Sequence, residues 1–202
     1  MKKYHCYSAE FDFYTEKLFE KAEFLGQGNN GIVYKLPENK VVKIFVESKV
    51  CRDESYILSR TGKSKSFPKM YRCGKLYITR DMVNGIKLDK YIKEYGLDNK
   101  ISENIFYVLK EFKKLKFTKI DSRCKDLYVC KKKKIMVIDP KKCFSKKVSY
   151  PRHLMKGLFK LNVLDEFLDN VSRLDEKKAI EWQEKFNKYC IEKIKEYDIS
   201  IK

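Results

Sequence analysis

The sequence predicts an α+β chain with a β-rich amino-terminal lobe and a reduced, mainly helical carboxy-terminal lobe. Three observations carry this. Two β-rich runs, residues 32–35 and 41–45, follow a glycine-spaced stretch, with the turn chemistry of Leu36-Pro37-Glu38-Asn39 between them. From Ile86 the apolar residues change to helical spacing. Among the helical stretches lies one hairpin, residues 127–130 and 135–138 flanking four lysines. The lobe boundary falls near Asn84-Gly85, giving lobes of residues 1–84 and 85–202.

The 202 residues suit one domain or two lobes packed as a unit. Hydrophobic residues make up 43% and aromatics 14%, enough to fill a core, which excludes wholesale disorder. No run of 18 apolar residues occurs, so no membrane-spanning helix is expected. The start of the chain has no apolar signal-peptide core, which sets a cytoplasmic expectation. Seven scattered cysteines, Cys6 among them, without a C-x-x-C pair fit reduced thiols. With His5 and His153 the only histidines, a zinc cluster or a histidine-based catalytic triad has few candidates. The net charge of +18 favours anionic partners, nucleic acid among them, and equally suits a lysine-rich proteome.

Taken in order, residues 11–23 read as a short helix leading into "FLGQGNNGIVYK", a G-x-G-x-x-G-x-V pattern from Gly26 to Val33. Such glycine spacing marks a backbone that lies close to a phosphate chain. A dinucleotide fold needs a helix directly after the glycines, and here a strand follows, so that fold is rejected. Residues 48–60 read as a helix whose Val50, Glu54, Ile57 and Leu58 share one face. Glu54 thus sits in an apolar stripe and Lys43 inside an apolar strand. Each is costly unpaired, and pairing the two solves both problems. A strand over residues 75–83 ends the lobe. A helix over 102–116, capped by Ser102, follows, and two further helices are expected at about 151–170 and 174–197. In the last, Ala179, Trp182, Phe186, Cys190 and Ile194 form a core stripe.

With the hairpin turn centred between Lys132 and Lys133, Asp126 faces Asp139, their Cβ atoms roughly 5 Å apart. Two such carboxylates repel, and a divalent cation would relieve the repulsion. Mg²⁺ is commonly held by one or two carboxylates plus substrate phosphates. The lysines at the tip read as a solvated turn, or else as an anionic docking patch.

Asp121 lies five residues before Asp126, the interval of the pattern H-R-D-x-x-x-x-N. Over residues 24–140 the order of glycines, Lys43, Glu54, "YITRDMVNG", Asp121, Asp126 and Asp139 resembles the protein kinase superfamily. The resemblance implies a bilobal kinase-like fold that uses ATP and Mg²⁺. It implies that Gly26, Gly28, Gly31 and Val33 cover the ATP phosphates and that Lys43, held by Glu54, contacts them. Asp81 and Val83 would supply backbone hydrogen bonds to adenine. Asp121 looks like the catalytic aspartate, Asp126 stands where the metal-binding Asn does, and Asp139 resembles the Asp of D-F-G.

The departures are informative. Lys119-Ile120-Asp121 replaces His-Arg-Asp, Asp139-Pro140-Lys141 replaces Asp-Phe-Gly, and no Ala-Pro-Glu follows. The compact plan looks more like RIO-type or other small atypical bacterial kinases. Three readings result. The first is a serine/threonine kinase acting on a protein, itself included. The others are a kinase of a small molecule or lipid, and a nucleotide-holding pseudokinase or basic interaction module.

Overall fold

In the computed structural model, which describes residues 9–140 and 142–200, an antiparallel sheet dominates the amino-terminal half. His5, Cys6 and Lys141 lie outside the described residues. The sheet comprises β1 (Glu23–Gly28), β2 (Gly31–Leu36), β3 (Lys40–Phe45), β4 (Met70–Cys73) and β5 (Tyr77–Asp81) in the order β1-β2-β3-β5-β4. Every residue of β3 from Val41 on is buried, because the strand is central and covered on both faces. Val42 and Ile44 pack with Leu36 and Tyr77 against residues of helix α1 (Phe13–Phe19). On the other face Phe45 and Ile78 pack with Cys51 and Leu58 of helix α2 (Ser48–Thr61). Lys43, one step out of phase with Val42, therefore faces α2.

Asp12 fastens α1 to the sheet. Its carboxylate accepts from the Tyr14 and Thr15 backbone N–H groups, and the Tyr77 hydroxyl donates to it at 2.6 Å. Burial works to raise its pKa, but Tyr77, Thr15 and Arg72 together outweigh this and hold it at about 2. A depressed carboxylate pKa contributes stability above its unfolded value and loses it as pH falls through the folded one. Asp12→Ala should cost about 1–2 kcal/mol at pH 7, for a lost helix cap and an orphaned hydroxyl. The difference from the parent should shrink in urea melts between about pH 4 and 2. Equal melts at pH 7 would show that the anchor contributes nothing.

The described chain divides into two compact units at Asn84/Gly85, and the first unit regains Met136–Lys141. The second holds helices α3 (Leu88–Tyr95), α4 (Asn99–Lys114), α5 (Arg152–Lys160), α6 (Leu164–Ser172) and α7 (Glu176–Ser200). It also holds β6 (Gly85–Lys87), antiparallel to β7 (Leu127–Cys130), and the start of β8 (Ile135–Val137). Its core includes Ile101, Ile105, Phe106, Leu158, Phe167 and Val171, with Trp182 against Phe106 at 6.0 Å between ring centroids. The chain is thus α+β, with an antiparallel sheet towards its amino terminus and helices towards its carboxy terminus.

Several boundaries differ from the sequence expectation. The cap of α4 is Asp98, whose carboxylate accepts from Ile101 N–H at 2.8 Å; Ser102 is fully buried inside the helix. The helix expected over 151–170 is two helices. Asn162 adopts φ 56° and Val163 N–H bonds back to Leu158 C=O, a left-handed helix stop that asparagine tolerates. The core stripe of α7 holds through Ala179, Trp182 and Phe186, but Ile194 is 62% exposed. At the hairpin tip Lys133 is not simply solvated: its ammonium pairs with Asp98 and its carbonyl accepts from the Asn104 side chain.

Candidate functional site

The first unit builds a buried ionic cluster. Lys43 on β3 and Glu54 on α2 meet at 2.5 Å, and Lys43 Nζ also reaches Asp139 Oδ1 at 3.4 Å. The pairing follows from two periodicities: the odd residues of β3 face α2, and Glu54 shares the helix face of Cys51, Ile57 and Leu58. Burial pushes the Glu54 carboxyl up, Lys43 pulls it back, and the neighbouring Asp139 charge pushes it up again. Lys43 thus serves two carboxylates.

Asp139 was assigned to the carboxy-terminal lobe on sequence, yet it belongs with the first unit. Val137 N–H donates to Ser66 C=O at 2.8 Å, which draws this segment back. Asp139 adopts φ 59° immediately before Pro140, a combination that the proline ring disfavours. Held strain of this kind concentrates at functional positions.

Above Lys43, β1 and β2 form a hairpin in which Gly28 pairs with Gly31 and Val33 pairs with Gly26. Val33 in turn pairs with Lys43. The glycines differ in kind. Gly31 has φ 151°, and a Cβ there would lie 1.9 Å from the Ile44 carbonyl oxygen, so the fold itself demands glycine. At Gly26 and Gly28 a Cβ would meet nothing within 4 Å. Packing does not explain these two.

Asp81 is a poor adenine partner. Its N–H donates to Lys69 C=O, its carbonyl accepts from the Arg80 guanidinium at 3.0 Å, and it ends the paired strand β5. Val83 lies beyond the strand, and its backbone enters no hydrogen bond among the described residues. Of the two, Val83 keeps the chemistry expected of a hinge.

The expectation that Asp126 and Asp139 face across paired strands is corrected. Asp126 lies in a 3-10 turn ahead of β7, and Asp139 lies two residues past the end of β8. Strand register therefore places neither. Nor is the Asp126 charge left to a cation: Arg123 grips both its oxygens, at 2.6 and 3.0 Å. Sequence pairing looked across the hairpin and missed the partner three residues back.

Asp121 also differs from expectation. Its side chain is 0% exposed, with Oδ1 accepting from the His153 and Leu154 backbone N–H groups at the start of α5. Oδ2 is paired with His153 Nδ1. His153 escaped the sequence reading, because a single histidine 32 residues away carries no local signal. The buried thiols offer no alternative nucleophile. Burial pushes Cys124 up to about 12 and Cys51 and Cys143 up to about 11.

Among the described residues, no group of three or more His, Cys, Asp or Glu side chains could hold a metal ion, and no helix is long and apolar enough to cross a membrane. No protein-family model and no curated protein sequence matches the chain. Among solved structures it is similar to that of the Cydia pomonella Granulovirus kinase, PK-1, with a TM-score of 0.48 and 17% identity. The match covers 61% of this chain and 52% of that one, so it spans about half the granulovirus chain.

Proposed function

We propose that the chain is an ATP-dependent phosphotransferase acting on a hydroxyl group, most simply a serine or threonine of a protein, its own included. The observation that carries this is the buried Lys43–Glu54–Asp139 cluster beside a hairpin with two glycines that packing does not require. A lysine at such depth, held by one carboxylate and within reach of a second, is poised to engage an added anion. Phosphate oxygens are that anion: Lys43 holds them, Glu54 orients Lys43, and the bare backbone at Gly26 and Gly28 allows close approach. The overall positive charge favours an acidic acceptor.

The donor set fits Mg²⁺ as a partner of substrate phosphates, not as a protein-caged ion. Asp139, 25% exposed at its side chain, would hold it together with the substrate phosphates. Bound there, the ion would neutralise phosphate charge during transfer.

A second reading has its own support. With Asp121 sequestered and Asp126 gripped by Arg123, the chain would hold nucleotide without turning it over. Incubation with γ-labelled ATP, Mg²⁺ and cell lysate separates the two, since only an enzyme transfers label. Mg²⁺–ATP should also raise the melting temperature more than ATP with chelator, and Asp139→Ala should remove that increment. If Asp139→Ala binds Mg²⁺–ATP as well as the parent, the metal lies elsewhere and this site loses its centre.

A further inference from the structure

At the carboxy-terminal end of α4, wholly within the second unit, two loop segments run side by side. Thr118 N–H donates to Cys143 C=O at 2.9 Å, Val148 N–H to Thr118 C=O at 2.9 Å, and Ile120 N–H to Val148 C=O at 2.7 Å. The Thr118 hydroxyl adds a bond to Lys146 C=O at 2.9 Å. Backbones paired in this way lie about 4.8 Å apart. These segments and the last turn of α4 carry Lys114, Lys116, Lys119, Lys142, Lys146 and Lys147, and neither 112–120 nor 142–150 contains an acidic residue. Lys114, Lys116, Lys142, Lys146 and Lys147 are exposed, and none of the five joins an ion pair among the described residues. Helix α7 flanks the platform, with Lys185 Nζ 3.5 Å from Ser149 Oγ. The carboxylate it brings, Glu181, is already shared by Lys178 and Lys185. Lys116 and Lys142 adopt φ 59° and 56°, left-handed positions that glycine fills at lower cost. Lysine thus stands where backbone geometry does not call for it, in a crowd of like charges that repel one another.

We infer that this face is a docking surface for a nucleic-acid duplex, gripped through its phosphates. The cations are lysines, hydrated point charges that suit phosphate oxygens in any orientation and do not read base edges as a guanidinium fork does. No large exposed hydrophobic residue lies in either segment, and the Phe144 ring packs onto buried Phe117 at 5.0 Å between centroids. The face therefore has no platform on which the bases of a single strand could stack, and no apolar wedge for a bilayer. A duplex answers what remains. It carries one charge per about 1.7 Å of its axis, and each phosphate neutralised by a lysine releases a condensed counterion. Hydrogen bonds already hold the platform, so little ordering is lost on binding. This surface is independent of the kinase reading and would serve equally a chain that only holds nucleotide.

Fluorescence anisotropy of the full chain with a labelled DNA duplex of arbitrary sequence tests it. With about six phosphates neutralised, affinity should fall about 10³-fold between about 50 and 200 mM salt. The triple variant Lys142→Gln, Lys146→Gln, Lys147→Gln should bind more weakly at low salt and lose only about 40-fold over the same interval. Lys131→Gln, Lys132→Gln, Lys134→Gln removes the same charge from the hairpin tip. That tip is fastened to α4 at Asn104, about 15 Å along the helix axis from its last turn. This second triple should bind duplex within a few fold of the parent. Equal losses from the two triples would mean that net charge alone attracts the duplex, and would overturn the inference. So would a parent that binds no duplex at low salt. Tighter binding to a single strand of equal length, to phosphatidylserine vesicles or to polyglutamate would give the face to another partner and overturn it too. Where the first triple melts early, Lys146→Gln alone keeps the test, with an expected drop of about 0.9 in the salt slope; an unchanged slope in a folded Lys146→Gln counts against the surface.

Discussion

Lys43→Met is expected to reduce phosphoryl transfer to background while leaving a foldable but less stable protein. Under the proposed function, the rate loss follows from removing the cation that would hold the phosphates. The stability loss has a separate origin. Glu54 is buried on α2, and Lys43 is the cation that offsets its burial. Removing one partner of a buried pair typically costs about 3–5 kcal/mol, because the other charge is left uncompensated. Glu54 answers by taking up a proton. Its carboxyl is already pushed up by burial, so between the ordinary glutamate range and its raised folded value the folded state binds more proton than the unfolded chain does. Stability from such a group is present below the ordinary glutamate range and is lost as pH rises through the folded value. Lys43→Met should steepen that loss, visible in urea melts at pH 5 and 8. Adding Glu54→Gln should restore much of the stability at pH 8 and none of the transfer. A double variant no more stable than Lys43→Met would mean the pair is not the source of the penalty.

Gly31→Ala should be the most destabilising single methyl in the glycine hairpin, at more than about 3 kcal/mol. The added Cβ meets the Ile44 carbonyl at 1.9 Å, and alanine resists a φ of 151°. The obstacle is backbone of the central strand, so β2 and β3 must separate locally to relieve it. Gly26→Ala and Gly28→Ala should behave in the opposite way. Neither added methyl meets anything, and alanine restricts the unfolded chain, so stability should stay level or rise by a few tenths of a kcal/mol. Under the proposed function, nucleotide affinity should nevertheless fall several fold for both, because the methyls would stand between the hairpin backbone and a phosphate. Thermal melts alongside nucleotide titrations separate the two kinds of glycine. Gly26→Ala and Gly28→Ala that bind nucleotide like the parent would show that the hairpin is not a phosphate cover.

Much of this was legible in one dimension. The alternation of β3 and the helical spacing of α2 were enough to require that Lys43 and Glu54 meet, because each is costly alone in an apolar row. The α+β class followed from the same change of period. Short elements escaped: β4 and β6 span four and three residues, too few for a periodic signal. The break at Asn162 was written in a residue type that also occurs inside helices.

What only the tertiary structure decided concerns the aspartates. Sequence spacing marked Asp121, Asp126 and Asp139, but it could not say what each carboxylate touches. Asp126 is satisfied locally by Arg123, Asp139 returns to the first unit beside Lys43, and Asp121 is buried against His153 at the start of α5. The physical reason is range. Backbone period is set by neighbours along the chain, so residues a few positions apart report it. The partner of a buried charge is chosen by desolvation, which pairs it with whatever polar group the fold brings near, 32 residues away for Asp121 and 96 for Lys43 with Asp139.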